Sequence, residues 1–195
     1  MGDEELRTAT VDDVDAMAAV LADAFHDDPV FRWLFPDDSS RPRLAQAMFT
    51  MLGEHVYVPQ GECLVGPDCA AYWEPSGAPA ADDFWVDHGE AFVTALEGQV
   101  ERLVALGAAM SAHHPGDPCW YLSLLGVHPS VQGRGLGGRL LAHKLERIDA
   151  VGEAAYLEAS SPRNRVLYER HGFELLEEFS ADGGPPMYAM WRAPR

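Results

Sequence analysis

Apolar residues along the chain recur at helical spacing in several stretches and gather into short β-prone runs in others. Leu6–Thr10 reads as a strand, and Thr10 with Asp13 resembles a capping box. Val14, Met17, Ala18, Leu21 and Phe25 then fall on one helical face. Pro29 opens a short apolar element through Phe31, Trp33, Leu34 and Phe35, which Pro36 closes. Leu44, Met48 and Leu52 predict a helix from Arg41 to about Val56. Cys63–Val65 and Cys69–Trp73 predict a hairpin across Gly66-Pro67-Asp68, followed by a Pro- and Gly-rich loop from Pro75 to Asp82. Phe92, Leu96, Leu103 and Leu106 predict one long amphipathic helix ending near Ala112. After a loop at Pro115–Pro118, Cys119 to Val127 is the best candidate for a central strand. Leu136, Leu140, Leu141, Leu145 and Ile148 give a further helix, and Ala155–Ala159 a strand. Pro162 opens a helix with Tyr168 near its end, and Gly172 stops it. Phe173–Phe179 and Met187–Trp191 are expected to pair as closing strands. No repeat or linker interrupts this order, so residues 1–195 read as one α/β domain.

Charge narrows the function classes. The formal net charge is −17, which disfavours a binder of nucleic-acid phosphates. Residues 1–100 carry 20 acidic and 4 basic side chains, whereas residues 101–195 carry 11 and 10. From His128 to Arg170 the balance is mildly positive, with 7 bases against 5 acids. An anion is therefore expected at that island, and a cationic partner on the acidic half. No apolar run approaches the roughly 18 residues that span a bilayer. The N-terminus MGDEELRTAT has acids where a signal peptide needs bases, and Leu6 stands where a myristoylation signal needs Ser or Thr. Cys63, Cys69 and Cys119 form no C-x-x-C pair, so the expected setting is a reducing cytoplasm. His113, His114 and Cys119 lie close in sequence but lack further ligands at recognised spacing, so no metal is expected.

The segment Y-L-S-L-L-G-V-H-P-S-V-Q-G-R-G-L-G-G-R-L-L, Tyr121 to Leu141, carries the chemistry. A strand leads into Gly133, Gly135, Gly137 and Gly138, and a helix comes next. Glycines let the backbone approach a ligand, successive amides form an anion nest, and the helix N-terminus adds its dipole. Arg134 and Arg139 add positive charge. These features together describe a phosphate or pyrophosphate site. It is not a P-loop, because no Gly-Lys-Ser/Thr comes after the glycines. Nor is it a dinucleotide fold, because the glycines come after more than 120 helix-rich residues rather than in an opening βαβ unit.

Gln132-x-x-Gly135-x-Gly137 resembles the acetyl-CoA pyrophosphate signature of the GNAT family of N-acetyltransferases. S-S-P-R-N-R-V-L-Y-E-R-H-G-F, Ser160 to Phe173, resembles that family's later coenzyme A motif. The two occur in the family's order, about 30 residues apart. D-P-C-W-Y-L-x-x-x-G-V, Q-G-R-G-L-G and P-R-N-x-x-x-Y-E-R-x-G-F are most similar to the puromycin N-acetyltransferase branch. The likeness is good from Pro118 to Phe173, loose from Leu6 to Pro36, and elsewhere rests on the order of elements. It implies a single α/β (α+β) domain, built on a central mixed, mostly antiparallel twisted sheet flanked by helices.

The resemblance further implies direct acetyl transfer from acetyl-CoA to an amine in a ternary complex, without a metal. It places the Leu125 backbone N–H as oxyanion donor and the Val127 backbone beside the pantetheine arm. The amides of Gln132, Gly133, Arg134, Gly135, Leu136, Gly137 and Gly138 would cradle the pyrophosphate. Tyr168 matches the tyrosine that protonates the departing thiolate. Asn164 matches a coenzyme-contacting asparagine, although many members carry theirs at the position of Ser161. Glu158 is the first candidate for the general base and Glu74 the second, since Tyr121 occupies the position where some members place a glutamate. Phe25, Phe31, Trp33, Phe35, Tyr72 and Trp73 are possible linings of the acceptor pocket, although each taken singly fits the core better. A small, antibiotic-like amine such as an aminonucleoside would suit an acidic, aromatic half. A protein or peptide acceptor, a non-catalytic coenzyme A sensor, and either a monomer or a homodimer stay open.

Overall fold

The computed structural model describes residues 6–60, 62–78 and 82–195. The signal-peptide and myristoylation readings fall largely on residues outside this set, as does part of the loop expected after Pro75.

The chain turns early. The Thr10 N–H and hydroxyl both donate to Asp13 Oδ2, at 2.8 and 3.0 Å, and end strand β1 (Arg7–Thr8). Helix α1 (Val14–Ala24) follows a short 3₁₀ turn. Asp28 caps α2 (Pro29–Leu34) by accepting from the Val30 and Phe31 amides, at 2.9 and 3.4 Å. Helix α3 (Arg41–Leu52) is shorter than its periodicity suggests, because the chain widens into a π turn at Gly53–Tyr57. The Tyr72 hydroxyl donates to the Phe49 carbonyl at 3.1 Å and packs so close to Gly53 that a side chain there would collide with it.

The hairpin forms as expected, from β2 (Leu64–Gly66) and β3 (Cys69–Glu74). The single long helix does not. It is two helices, α4 (Asp82–Ala95) and α5 (Glu101–His113). Glu97 and Gly98 both have positive φ, and the Gly98 N–H closes onto the Val93 carbonyl at 2.9 Å. This is a glycine-assisted helix end. Leu96 and Leu103 are seven residues apart, which a continuous helix would also allow, so periodicity hid the break.

The remaining elements alternate: β4 (Trp120–Val127), α6 (Leu136–Val151), β5 (Ala155–Ala159), α7 (Pro162–Arg170), β6 (Glu174–Phe179) and β7 (Met187–Arg192). The strands form one seven-stranded sheet in the order β1-β2-β3-β4-β5-β7-β6. Only β4 and β5 are parallel; every other pair is antiparallel. Trp120–Val127, within the predicted run from Cys119, is thus the middle strand.

Side chains alternate across the sheet and build two separate cores. Tyr72 and Tyr156 face a layer containing Met17, Leu21 and Phe49 from α1 and α3. Trp73 and Leu157 face the opposite layer, with Leu140, Leu141 and Ile148 of α6. Gly126 brings α1 against β4: a methyl group there would lie 2.8 Å from Leu21 Cδ2 and 3.0 Å from Ala24 Cβ. On the other face Lys144 of α6 is buried, ion-paired to Glu62, and 4.0 Å from the centre of the Trp120 ring. The three cysteines are buried free thiols. No helix among the described residues is long and apolar enough to cross a membrane.

Candidate functional site

The sheet splits at its centre. Strands β4 and β5 pair at Trp120–Ala155, Tyr121–Tyr156 and Leu122–Leu157, and their ladder then ends. β4 runs on to Val127, still paired with β3. The cause is a bulge: Tyr72 opposes Leu124 and Trp73 opposes Leu122, so Ser123 is the extra residue. A bulge bends its strand and re-aims the residues after it. The Ser123 hydroxyl shares a 2.7 Å hydrogen bond with the Tyr57 hydroxyl on the π turn. Beyond the bulge, the His128 N–H donates toward β3, to the Asp68 carbonyl at 2.8 Å. Strand alternation therefore turns the Leu125 and Val127 N–H groups to the open side. The Val127 carbonyl on that side accepts from Gln132 Nε2 at 3.0 Å.

The glycine-rich loop closes one end of this split. Gly133 and Gly135 have φ of 76° and 82°. Gly135 is the left-handed residue from which α6 starts. A methyl group on Gly137 would lie 3.6 Å from both the Leu125 and Val127 side chains, so the first turn of α6 faces the open edge of β4. The first helical amides, from Leu136 to Gly138, have no partner within the helix. The Gln132 amide donates to the Pro129 carbonyl at 3.4 Å. In Gly135→Ala, the left-handed residue would be strained by about 1–2 kcal/mol. We expect the Michaelis constant for acetyl-CoA to rise about tenfold, with kcat changed less than twofold; steady-state kinetics at saturating amine would check this.

Three acidic side chains approach the split from the face covered by α1–α5. Glu158 lies on β5 just past the last ladder pair. Tyr121 donates to its Oε2 at 2.8 Å, while its Oε1 is buried and has no partner among the described residues. Burial pushes the carboxyl up to about 7, against the opposing effects of the Tyr121 hydroxyl and then the Tyr156 hydroxyl. Glu74, paired with Tyr121 across β3 and β4, is also raised by burial. The third is Asp28, whose Oδ2 accepts from the Ser160 hydroxyl; Ser160 in turn accepts from Asn164 Nδ2 at 3.3 Å. Burial raises the Asp28 carboxyl, and its hydrogen bonds oppose that rise.

Tyr168 lies on α7, its ring edge-on to Phe173 at 6.0 Å. Burial first, and the Asp28 charge second, hold its phenol above the ordinary range. Its hydroxyl makes no hydrogen bond among the described residues.

Residues 84–175 match the family described as acetyltransferase (GNAT) domain. A crystal structure of a histone acetyltransferase HPA2 and related acetyltransferase from Corynebacterium glutamicum is 29% identical, with a TM-score of 0.76; the match covers 97% of this chain and 96% of that one. A polyamine N-acetyltransferase from Drosophila melanogaster, which forms N-acetylagmatine, is 19% identical with a TM-score of 0.64, covering 97% and 99%. An arylalkylamine N-acetyltransferase 2 from Aedes aegypti is 13% identical with a TM-score of 0.64, covering 98% and 99%. The chain has the GNAT acetyltransferase fold.

On this GNAT framework the predicted residues fall into two groups. Leu125, Val127, Gln132 and the glycines Gly133 to Gly138 gather at the open edge of β4. Glu158, Asn164 and Tyr168 come from β5 and α7. Arg134 reaches back toward the Ser130 carbonyl, at 3.5 Å. Of the expected pocket linings, Phe31, Phe35, Tyr72 and Trp73 are buried core residues, and only Phe25 and Trp33 keep partial exposure. His113, His114 and Cys119 do not converge: His113 pairs with Glu177 at 2.8 Å, and His114 with the Pro115 carbonyl at 2.9 Å. Sequence reading missed Asp28, Ser160, Ser123 and Tyr57. Asp28 carried a signal, since an Asp before Pro-Val-Phe is a helix cap, but nothing in sequence joins it to Ser160, 132 residues away.

Proposed function

We propose that the chain, over 1–195, is an acetyl-CoA-dependent N-acetyltransferase that acts on a small amine. The observation that carries this reading is the split between β4 and β5, with the glycine-led turn of α6 at its open edge and acidic groups opposite. An extended thioester-bearing arm can lie along Leu125 and Val127 as an added strand, and the α6 amides suit a pyrophosphate. The Leu125 N–H would hold the thioester oxygen as negative charge develops on it. Glu158 Oε1 would take a proton from the amine, and the Tyr168 hydroxyl would give one to the leaving thiolate. Asn164 would hold the coenzyme from the first turn of α7. The direct transfer uses both coenzyme and amine in one complex and needs no metal from the protein.

A second reading of the proton acceptor rests on Asp28, which is raised by burial, joined to Ser160 and close to Tyr168. Asp28→Asn keeps a helix cap, so a large loss of activity in it, with Glu158→Gln active, would move the role to Asp28. The acceptor we favour is a cationic amine with an aromatic or apolar portion, such as an aminonucleoside, drawn by the acidic half. The polyamine and arylalkylamine acetyltransferases of the same fold support a small amine in general. Mass spectrometry of puromycin, aminoglycosides, polyamines, arylalkylamines and short peptides incubated with acetyl-CoA tests the reading. We expect one added acetyl group on a small amine. Faster acetylation of peptides would favour a protein acceptor. No product, with equal stabilisation by coenzyme A and acetyl-CoA, would favour a sensor.

A further inference from the structure

The Tyr121 side chain has a restricted setting. Its backbone pairs with Glu74 on one side and Tyr156 on the other. Its ring lies against Tyr156 with centroids 5.9 Å apart, and the His114 ring meets it edge-on at 5.5 Å. The buried hydroxyl is thereby aimed at one atom, Glu158 Oε2. The two oxygens of Glu158 are consequently unlike: one is held, and the other is buried and unpartnered. A carboxylate free to turn would interchange its oxygens; here the hold on Oε2 leaves Oε1 as the unpaired one. Tyr121 also occupies the middle strand immediately before the end of the β4–β5 ladder, so sheet pairing fixes it just where the strands part.

We propose that Tyr121 is a positioning residue for acetyl transfer: its hydroxyl fixes Oε2 of Glu158 so that Oε1 faces the acceptor nitrogen. The inference rests on the reading of Glu158 as proton acceptor. In that step the N–H bond of the acceptor breaks, its electron pair stays on nitrogen, and the proton forms the O–H of a neutral acid at Oε1. The Tyr121 hydrogen bond to Oε2 persists through it. The groups facing Glu158 are Tyr121 from β4, Tyr156 beside it on β5, Glu74 from β3, Tyr57 from the π turn and Cys119 from the loop before β4. Glu74 opposes ionisation of Glu158, whereas Tyr121 first and Tyr156 second favour it, so loss of the Tyr121 hydroxyl moves Glu158 upward.

The test compares wild type, Tyr121→Phe, Glu158→Gln and the double variant across pH, with acetyl-CoA and the panel amine that turns over fastest. Carbon-13 NMR titration of the carboxyl-labelled, ligand-free protein tracks Glu158 directly. We expect Tyr121→Phe to move both the Glu158 titration and the acid limb of kcat/KM up by about one pH unit. Well below the limb this is about a tenfold loss relative to its own plateau. In the Glu158→Gln background the same substitution should change kcat/KM less than twofold. If Glu158→Gln abolishes the limb but Tyr121→Phe leaves limb and titration in place, the positioning role falls and the base stands. Equal slowing by Tyr121→Phe in both backgrounds also overturns it. If Glu158→Gln keeps the limb, the base assignment itself fails, and the positioning role with it.

Discussion

Glu158→Gln is expected to lower kcat/KM about 100-fold and to make the protein more stable at alkaline pH. The first effect is the ordinary magnitude for loss of a general base. It should be greatest at neutral pH and above, because the native carboxyl ionises near 7 and must be ionised to accept a proton. The second effect has its origin in the same burial. An unfolded glutamate ionises at about 4.3. Between that value and about 7 the folded protein binds more protons than the unfolded chain, so stability falls as pH rises. The penalty is fully present above the folded value and absent below the unfolded one. Removing the charge should therefore stabilise the fold by roughly 3 kcal/mol at pH 8, and very little at pH 4. Urea unfolding at the two pH values, beside steady-state rates, checks both halves. A variant that is slow but no more stable at pH 8 would show that the carboxylate is better solvated than its surroundings indicate.

Tyr168→Phe is expected to reduce kcat about 100-fold while leaving the dissociation constant for acetyl-CoA within about twofold. The two effects separate because Phe keeps the ring packing against Phe173 and loses only a hydroxyl that bonds to no other described residue. Thermal unfolding should shift by no more than a few degrees, since no internal hydrogen bond is lost. Burial and the nearby Asp28 keep the wild-type phenol protonated throughout the neutral range, as an acid in this position requires. Pre-steady-state acetyl transfer and acetyl-CoA titration distinguish the outcomes. Full turnover in this variant would assign thiolate protonation to water or to another group.

Local chemistry was legible in the sequence, and juxtaposition was not. The middle strand, the glycine-led α6 and the Pro162 helix could be read because each has a composition that only one local structure satisfies. The run Gly133 to Gly138 likewise announced the left-handed turn that starts α6. The break between α4 and α5 was hidden because its apolar residues keep helical phase across the turn. Tyr72 and Trp73 could be read as core or as pocket lining, with core favoured for each taken singly; the sheet placed them in two different cores. The bulge at Ser123 depends on how β3 registers against β4, and the Asp28–Ser160 bond on how α2 meets the end of β5. Both are long-range events with no periodicity to betray them.

The two cores on opposite faces of the sheet have a consequence for how such an enzyme can change. α6 is clamped through buried Lys144 to Glu62 and Trp120, so its glycine-led first turn is anchored to the core it shares with β4 and β5. The face built by α1–α5 packs separately. Substitutions far apart with no shared partners act nearly independently. Under the proposed function, acceptor preference would therefore change through α4 with the least effect on coenzyme affinity. A library confined to α4 would leave untouched Asp28 at the start of α2 and Tyr57 of the π turn, which bond to Ser160 and Ser123, and acetyl-CoA titration of its members would test this separation.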